Sequence, residues 1–418
     1  MSITTFKNYM QRSSVHISGF ENNYSLCFDF SIDEIEPLIA TMGTRSTLLS
    51  YPFLKSIEEC PPQGLKPVYA VLIDHLDQPV GFFNFQVKYF QAQQSMRLGQ
   101  DEDFFCRLHL RLKSLVVNLV EFNTLVCGNL LLSGPYGYIL RPDHESSAGL
   151  IYQHMIEEMQ GWLRSRSLDT NVVLVKDFFQ DQKVLEESTF HSFEIQPNMI
   201  LDLPRHWMRF EDYLDDLHSK YRIRARRAMK AANGILRREI SMEEASTFRA
   251  QLYGLYKQTA THAEFNLVDL HPDYFYQLKK NLGEAFHIYT YSLKDELVAF
   301  YTVIEDGAED EAHFLGINES LNKPYQLYLN ILFDIIQSSI LRKKTRTRFS
   351  RTALEIKSSV GAKAHSLTCY IKHRKVINNT FVPYLLDFLN QNQDWVPRHP
   401  FRESENQLVP IFGLVPEV

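Results

Sequence analysis

Two stretches of the chain share one hydrophobic pattern. Residues 67–87 read PVYAVLIDHLDQPVGFFNFQV, two β-rich runs around the polar segment Asp74-His75-Leu76-Asp77-Gln78-Pro79. Residues 286–304 read FHIYTYSLKDELVAFYTVI, with Ser292-Leu293-Lys294-Asp295-Glu296 in the same place. Runs of this length bounded by turn residues predict a β-hairpin in each half. After the first hairpin, an apolar strand around Leu125–Leu132 leads into Gly134-Pro135-Tyr136-Gly137. Ile151, Met155, Met159, Trp162 and Leu163 then recur at helical spacing, with Ser146 or Ser147 as the N-cap. Val172–Val175 predicts the next strand. After the second hairpin comes a strand around His313–Ile317, a loop over Asn318–Pro324, and a helix with Tyr325, Tyr328, Leu329, Leu332, Phe333 and Ile336 on one face. Pro324 suits the first turn of that helix. Strand-like segments follow near Arg348 and at Leu367–Ile371.

Hairpin, strand, loop, helix, strand, twice over, predicts a duplicated α/β unit. The join falls near Gln196-Pro197-Asn198, dividing the chain into residues 1–200, 201–385 and a tail, 386–418. A length of 418 residues agrees, because single cores stop growing at about 250–300. With 44% hydrophobic residues, 29 Phe and 21 Tyr the chain can fill two cores, which excludes global disorder. A formal charge of -6 argues against a general nucleic-acid binder. The five cysteines show no CxxC spacing, which predicts reduced, mostly buried thiols and no metal site. No apolar run of a signal peptide or bilayer span stands out. The expectation is a cytoplasmic protein, peripheral at the inner membrane face.

Charge is unevenly placed. From Leu217 to Arg238 there are eight Lys/Arg and no acid; Lys220, Arg224 and Arg227 share one helical face, and Arg222, Arg226 and Lys230 another. This is either a solvated helix face or a site for donor phosphates or an anionic membrane surface. A second zone, Ile335 to Leu386, holds eleven Lys/Arg against one acid, Glu355. Candidate proton acceptors are His262 and Glu264, in a loop between helical stretches, and His313 on its strand; a histidine suits the task because its ordinary pKa lies near 6.5. Tyr325 and Tyr328 either donate a proton, line an acyl channel or pack in the core. Lys176-Asp177 ends a strand; it reads either as a structural ion pair or as a lysine on the rim that contacts an anionic substrate.

Three segments carry a resemblance. They are Tyr221–Lys230, the strand-loop-helix Leu315–Leu332 with its tyrosines, and Leu354-Glu355-Ile356-Lys357-Ser358-Ser359-Val360-Gly361. Their order resembles the acyl-CoA N-acyltransferase (GNAT) fold in tandem, as in the Fem-type peptidoglycan aminoacyltransferases and the BioF2-like acetyltransferase group. Ile356 and Val360 stand where that family's late Phe-Lys-x-x-Phe-Gly segment has aromatics. The resemblance implies a mixed α/β sheet in two GNAT-like units, and an N-acyltransferase with its active site in the second. It implies an activated acyl donor, acyl-CoA or acyl-carrier protein, as co-substrate with no tightly bound cofactor, and an amine, such as a lipid-like amine, as acceptor. Arg351 and Lys357 would lie where the sheet opens, and Lys357 would stabilise charge on the reacting carbonyl. Arg222, Arg224, Arg226, Arg227, Tyr325, Tyr328 and Arg351 would contact substrate. The Arg/Gln-x-x-Gly-x-Gly/Ala pyrophosphate loop of simple GNAT enzymes is absent from both halves. Two other readings stay open: a Fem-type ligase that uses aminoacyl-tRNA, and an inactive GNAT scaffold that binds an anionic lipid or a partner.

Overall fold

Both predicted hairpins form, and each opens one half of a single sheet. The computed structural model describes residues 13–15, 24–43, 46–91, 121–179, 185, 189–262, 268–389 and 395–402. The first half contains β1 (Ser13–Val15), β2 (Tyr24–Asp29), α1 (Ile32–Ile39), α2 (Tyr51–Glu59), β3 (Leu65–Ile73), β4 (Pro79–Gln91), β5 (Glu121–Cys127) and β6 (Tyr138–Leu140). It continues with α3 (Ala148–Arg164), β7 (Val172–Phe179) and β8 (His191–Asp202). The second half contains α4 (Phe210–Asp216), α5 (Ser219–Ala231), β9 (Ile235–Glu239), α6 (Met242–Thr247), α7 (Arg249–His262) and α8 (Tyr274–Leu282). Then come β10 (Phe286–Leu293), β11 (Glu296–Asp306), β12 (Glu309–Ile317), α9 (Glu319–Tyr325), α10 (Leu327–Leu341), β13 (Arg346–Arg348), α11 (Leu354–Ser359), β14 (Lys363–His373) and α12 (Val376–Leu389).

The strands form one 14-stranded sheet in the order β1-β2-β3-β4-β5-β7-β14-β8-β13-β12-β11-β10-β9, with β6 on β4. From the central β14–β8 pair outward, the two halves match: β7, β5, β4, β3, β2 on one side and β13, β12, β11, β10, β9 on the other. In each half one pair is parallel, β5 with β7 and β12 with β13, and the neighbouring pairs are antiparallel. This is a duplicated arrangement in a mixed α/β sheet. The last strands are exchanged. β8, made by the first half, pairs with β13, and β14, made by the second, pairs with β7.

The join expected at Gln196-Pro197-Asn198 therefore lies inside β8. Proline is tolerated there because His365 pairs with Asn198 and Leu367 with Ile195, leaving Gln196 and Pro197 opposite Ser366 in a bulge. The helix expected to begin around Pro324 is broken: Gln326 is left-handed (φ 52°), so Pro324 lies near the end of α9 and α10 starts afterwards. On α3 the inward stripe is Ile151, Met155, Met159 and Leu163, as the spacing predicts, but Ser147 makes no side-chain cap. Residues 395–402, taken from sequence as tail, pack back on the second half. His218 donates its N–H to Pro400 O at 2.8 Å, and the Phe401 ring stands against Trp207 and Tyr213. Gly361 (φ 104°) is required there, since a Cβ would come 2.3 Å from the Phe401 ring.

One apolar core is shared between the halves. Phe53, Leu54 and Ile57 of α2 pack with Tyr274, Phe275 and Leu278 of α8. Cys27, Cys60, Cys127 and Cys369 are buried; Cys106 lies outside the described residues. Among the described residues no helix is long and apolar enough to cross a membrane, and no three His, Cys, Asp or Glu group to hold a metal.

Candidate active site

The sheet opens where its parallel strands part. In the second half β12 and β13 pair only from Glu309–Arg346 to Glu311–Arg348. The chain after β13 then turns away through Ser350 (φ 59°), Thr352 (φ 67°) and Ala353 (φ 48°), three left-handed residues without a glycine. Such backbone costs about 1–3 kcal/mol per residue and persists only where surroundings hold it. On the facing strand, His313 and Phe314 bulge against the single residue Thr302, whose hydroxyl bonds Phe314 O at 2.9 Å and Phe314 N at 3.0 Å. A bulge re-aims side chains at the mouth of the opening.

A charged cluster fills the base of this V. Arg348 ion-pairs with Asp306 at 2.6 Å, Glu309 at 3.2 Å and Glu311 at 3.4 Å, and donates to the Tyr136 hydroxyl of the first half. Glu311 is 1% exposed; burial pushes its carboxyl up to about 8, with Arg348 pulling the other way. Lys357, 4% exposed on α11, donates to Arg351 O at 2.5 Å and Ser350 O at 3.3 Å. Burial brings its ammonium down to about 7, against the pull of Glu311. Three carboxylates thus meet the Arg348 guanidinium, with the Lys357 ammonium acting on Glu311 through charge, and Glu311 is the carboxyl that holds a proton near neutrality.

The other candidates occupy different places. His313 shares a 2.7 Å hydrogen bond with the Tyr274 hydroxyl and packs against Phe314 and Phe53. Burial drives its pKa down to about 3, so it is neutral at pH 7 and a weak base, contrary to the role expected from sequence. His262 is the last residue of α7, and Glu264 lies outside the described residues. Tyr325 and Tyr328 pack on the second-half core beside Tyr221 and Leu315, and burial raises the Tyr328 phenol. Arg351 is committed across the molecule: it pairs with the Asp177 carboxylate and donates Nε–H to Gln196 O at 3.0 Å. Arg222 pairs with Asp215 at 3.8 Å, while Arg224, Arg226 and Arg227 are exposed on α5. Asn330 of α10 donates to Ala228 O at 2.9 Å, fixing α5 over the start of α10.

The first half has the same opening but closes it. β5 and β7 pair from Thr124–Val172 to Cys127–Val175, after which Lys176 and the left-handed Asp177 (φ 66°) bulge against Cys369. Burial pushes the Asp177 pKa up, but Lys176 and Arg351 overcome it and hold the carboxyl below its ordinary value. Gly134 N–H donates to that carboxylate at 3.2 Å, and Lys176 donates to Leu132 O at 3.2 Å. A Cβ on Gly137 would meet the Tyr152 hydroxyl at 2.3 Å. Gly134–Gly137 is therefore closely packed. It carries Tyr136 to Arg348, and beside it Ser133 and Ser350 share a 2.7 Å hydrogen bond. The first half supplies a wall of the second half's opening. Sequence reading missed Glu311, Arg348, Tyr136 and the cross-half role of Asp177. The one signal for the first was the acid run Glu309-Asp310-Glu311 entering an otherwise apolar strand.

No family model matches the chain, and no curated protein matches it by sequence. Among solved structures it is similar to the crystal structure of FemX, at 10% identity over 89% of this chain and 99% of that one, with a TM-score of 0.49. It is similar to a tandem GNAT protein from the clavulanic acid biosynthesis pathway, at 11% identity over 83% and 98%, TM-score 0.45. It is also similar to L-PGS from Bacillus licheniformis, at 13% identity over 81% and 96%, TM-score 0.43.

Proposed function

We propose that the protein is an N-acyltransferase that works in the V between β12 and residues 349–353. It moves an acyl group from a thioester of CoA or of a carrier protein to an amine. The observation that carries this is Glu311, a buried carboxyl held near neutral pH where the parallel strands part. The neutral amine attacks the thioester carbonyl, a C–N bond forms and the C–S bond breaks. Glu311 takes the ammonium proton and returns it to the leaving thiolate. A base whose pKa lies near the working pH balances availability against strength. In its ammonium form, held up to about pH 7, Lys357 has three N–H donors and spends two on Ser350 O and Arg351 O. Its third is the donor we assign to the developing oxyanion. An apolar acyl chain in contact with Tyr325 and Tyr328, and a lipid-like amine as acceptor, are part of the proposal.

The test is a panel of acyl thioesters and amines with the purified chain, read as free thiol. Thiol release that depends on the amine and survives ribonuclease supports the proposal. Transfer that instead needs charged tRNA and stops with ribonuclease replaces it with an aminoacyl-tRNA ligase. Turnover of neither donor overturns it in favour of a binding scaffold.

A further inference from the structure

Helix α5, SKYRIRARRAMKA, sits on the molecule by its smallest residues. It buries Ala225 and Ala228, with Tyr221, Arg222 and Ala231 half-buried, and exposes its other residues. Opposite the two alanines runs an i, i+3, i+4, i+7 stripe of Ile223, Arg226, Arg227 and Lys230. Ile223 is 57% exposed at the outer edge of the helix, and Met229, adjoining Arg226 and Lys230, is 43% exposed. Leu236, just beyond the helix at the start of edge strand β9, is 63% exposed. Arg224, Arg226, Arg227 and Lys230 are all exposed, and no acid interrupts residues 217–238.

A solvated helix normally turns its large apolar residues inward and mixes its charges outside. Here alanines face the core, and a large aliphatic side chain faces out among cations. We propose that this face of α5 docks on the surface of an anionic phospholipid bilayer. The arginines and Lys230 meet lipid phosphates, while Ile223 and Met229 enter the interface between headgroups and acyl chains. Charge complementarity names an anionic partner, and the apolar side chains select lipid over RNA. A phosphate backbone in water gives an isoleucine at the centre of the contact nothing to pack on, whereas long cationic side chains flanking an inserted aliphatic one are what an interface accommodates. The proposal is independent of the acyl-transfer reading, since a scaffold without activity would dock equally well.

The test is co-sedimentation of the full chain with vesicles of phosphatidylglycerol and phosphatidylcholine in equal parts, against phosphatidylcholine alone, at low and high salt. Binding confined to the anionic vesicles and weakened by salt is expected. The triple reversal Arg226→Glu, Arg227→Glu, Lys230→Glu should weaken it on the order of a hundredfold. The pair Ile223→Ser, Met229→Ser should weaken it several-fold, and circular dichroism and melting temperature should stay unchanged because these positions are exposed. Equal binding to neutral vesicles, no binding at low salt, or unchanged binding of the triple variant would overturn the proposal. So would retention on a homopolymeric RNA without retention on vesicles.

Discussion

Glu311 and His313 lie two residues apart on β12, and burial moves both toward their neutral forms. For the carboxyl that means a pKa of about 8, for the imidazole about 3. The consequences for stability are opposite in sign. Glu311 holds a proton in the fold that the unfolded chain releases above its ordinary 4.5, so its contribution is present at low pH and lost as pH rises toward 8. His313 stays neutral where the unfolded chain would take up a proton, so its contribution is lost as pH falls from 6.5 toward 3. Glu311→Gln should therefore keep or raise the melting temperature at pH 8 while turnover falls about 100- to 10,000-fold, the span of general-base contributions. His313→Gln keeps a partner for the Tyr274 hydroxyl but cannot titrate. Its melting temperature should fall less steeply than wild type between pH 6.5 and 4, measured by thermal melts across that range; parallel curves would show that His313 is not buried as described. Sequence could place a histidine on a strand, but not its surroundings. Tyr274 lies 39 residues away, and Phe53 comes from the other half.

At the scale of elements, the segment from Ser350 to Ala353 is held by contacts from three directions. Lys357 clamps two of its carbonyls, Asp177 pairs with Arg351, and Ser133 bonds Ser350. Lys357→Ala should accordingly lower melting temperature as well as turnover, whereas a role confined to the reacting carbonyl would lower turnover far more than stability. Asp177→Ala leaves Lys176 buried without its carboxylate and Arg351 without its anchor. Removing one partner from such a group costs about 3–5 kcal/mol. Chemical denaturation should show that loss, and a loss under about 1 kcal/mol would mean that water replaces the carboxylate. Helix α3 was legible because its 3.6-residue stripe is a local property. The break between α9 and α10 was not, since Gln326 gives no glycine signal for its left-handed backbone.

The duplication was legible for the same reason as α3: each hairpin, strand and helix carries its own periodicity. The exchange of β8 and β14 was invisible, because pairing partners are chosen across the whole chain and Pro197 hides in a bulge. Exchange makes the halves interdependent. Separately produced residues 1–203 and 204–418 should each lack a central strand and aggregate or stay unfolded, then recover a native spectrum when refolded together. Calorimetry of the intact chain should show one cooperative transition, and two separated transitions would contradict the shared core of α2 and α8. Among the described residues the loop that fills the first half's opening also reaches the second, where Tyr136 meets Arg348 and Ser133 meets Ser350. The central claim is that Glu311 in this opening takes the proton of the attacking amine. Its most direct test is the pH dependence of amine-dependent thiol release under kcat/KM conditions, wild type against Glu311→Gln. The account predicts a bell-shaped wild-type profile with its maximum between about pH 7 and 8, rising as Glu311 ionises and falling as Lys357 loses its proton, and a variant that is at least about a hundredfold slower and lacks the rising limb. A variant with wild-type rate and the same pH profile would contradict it.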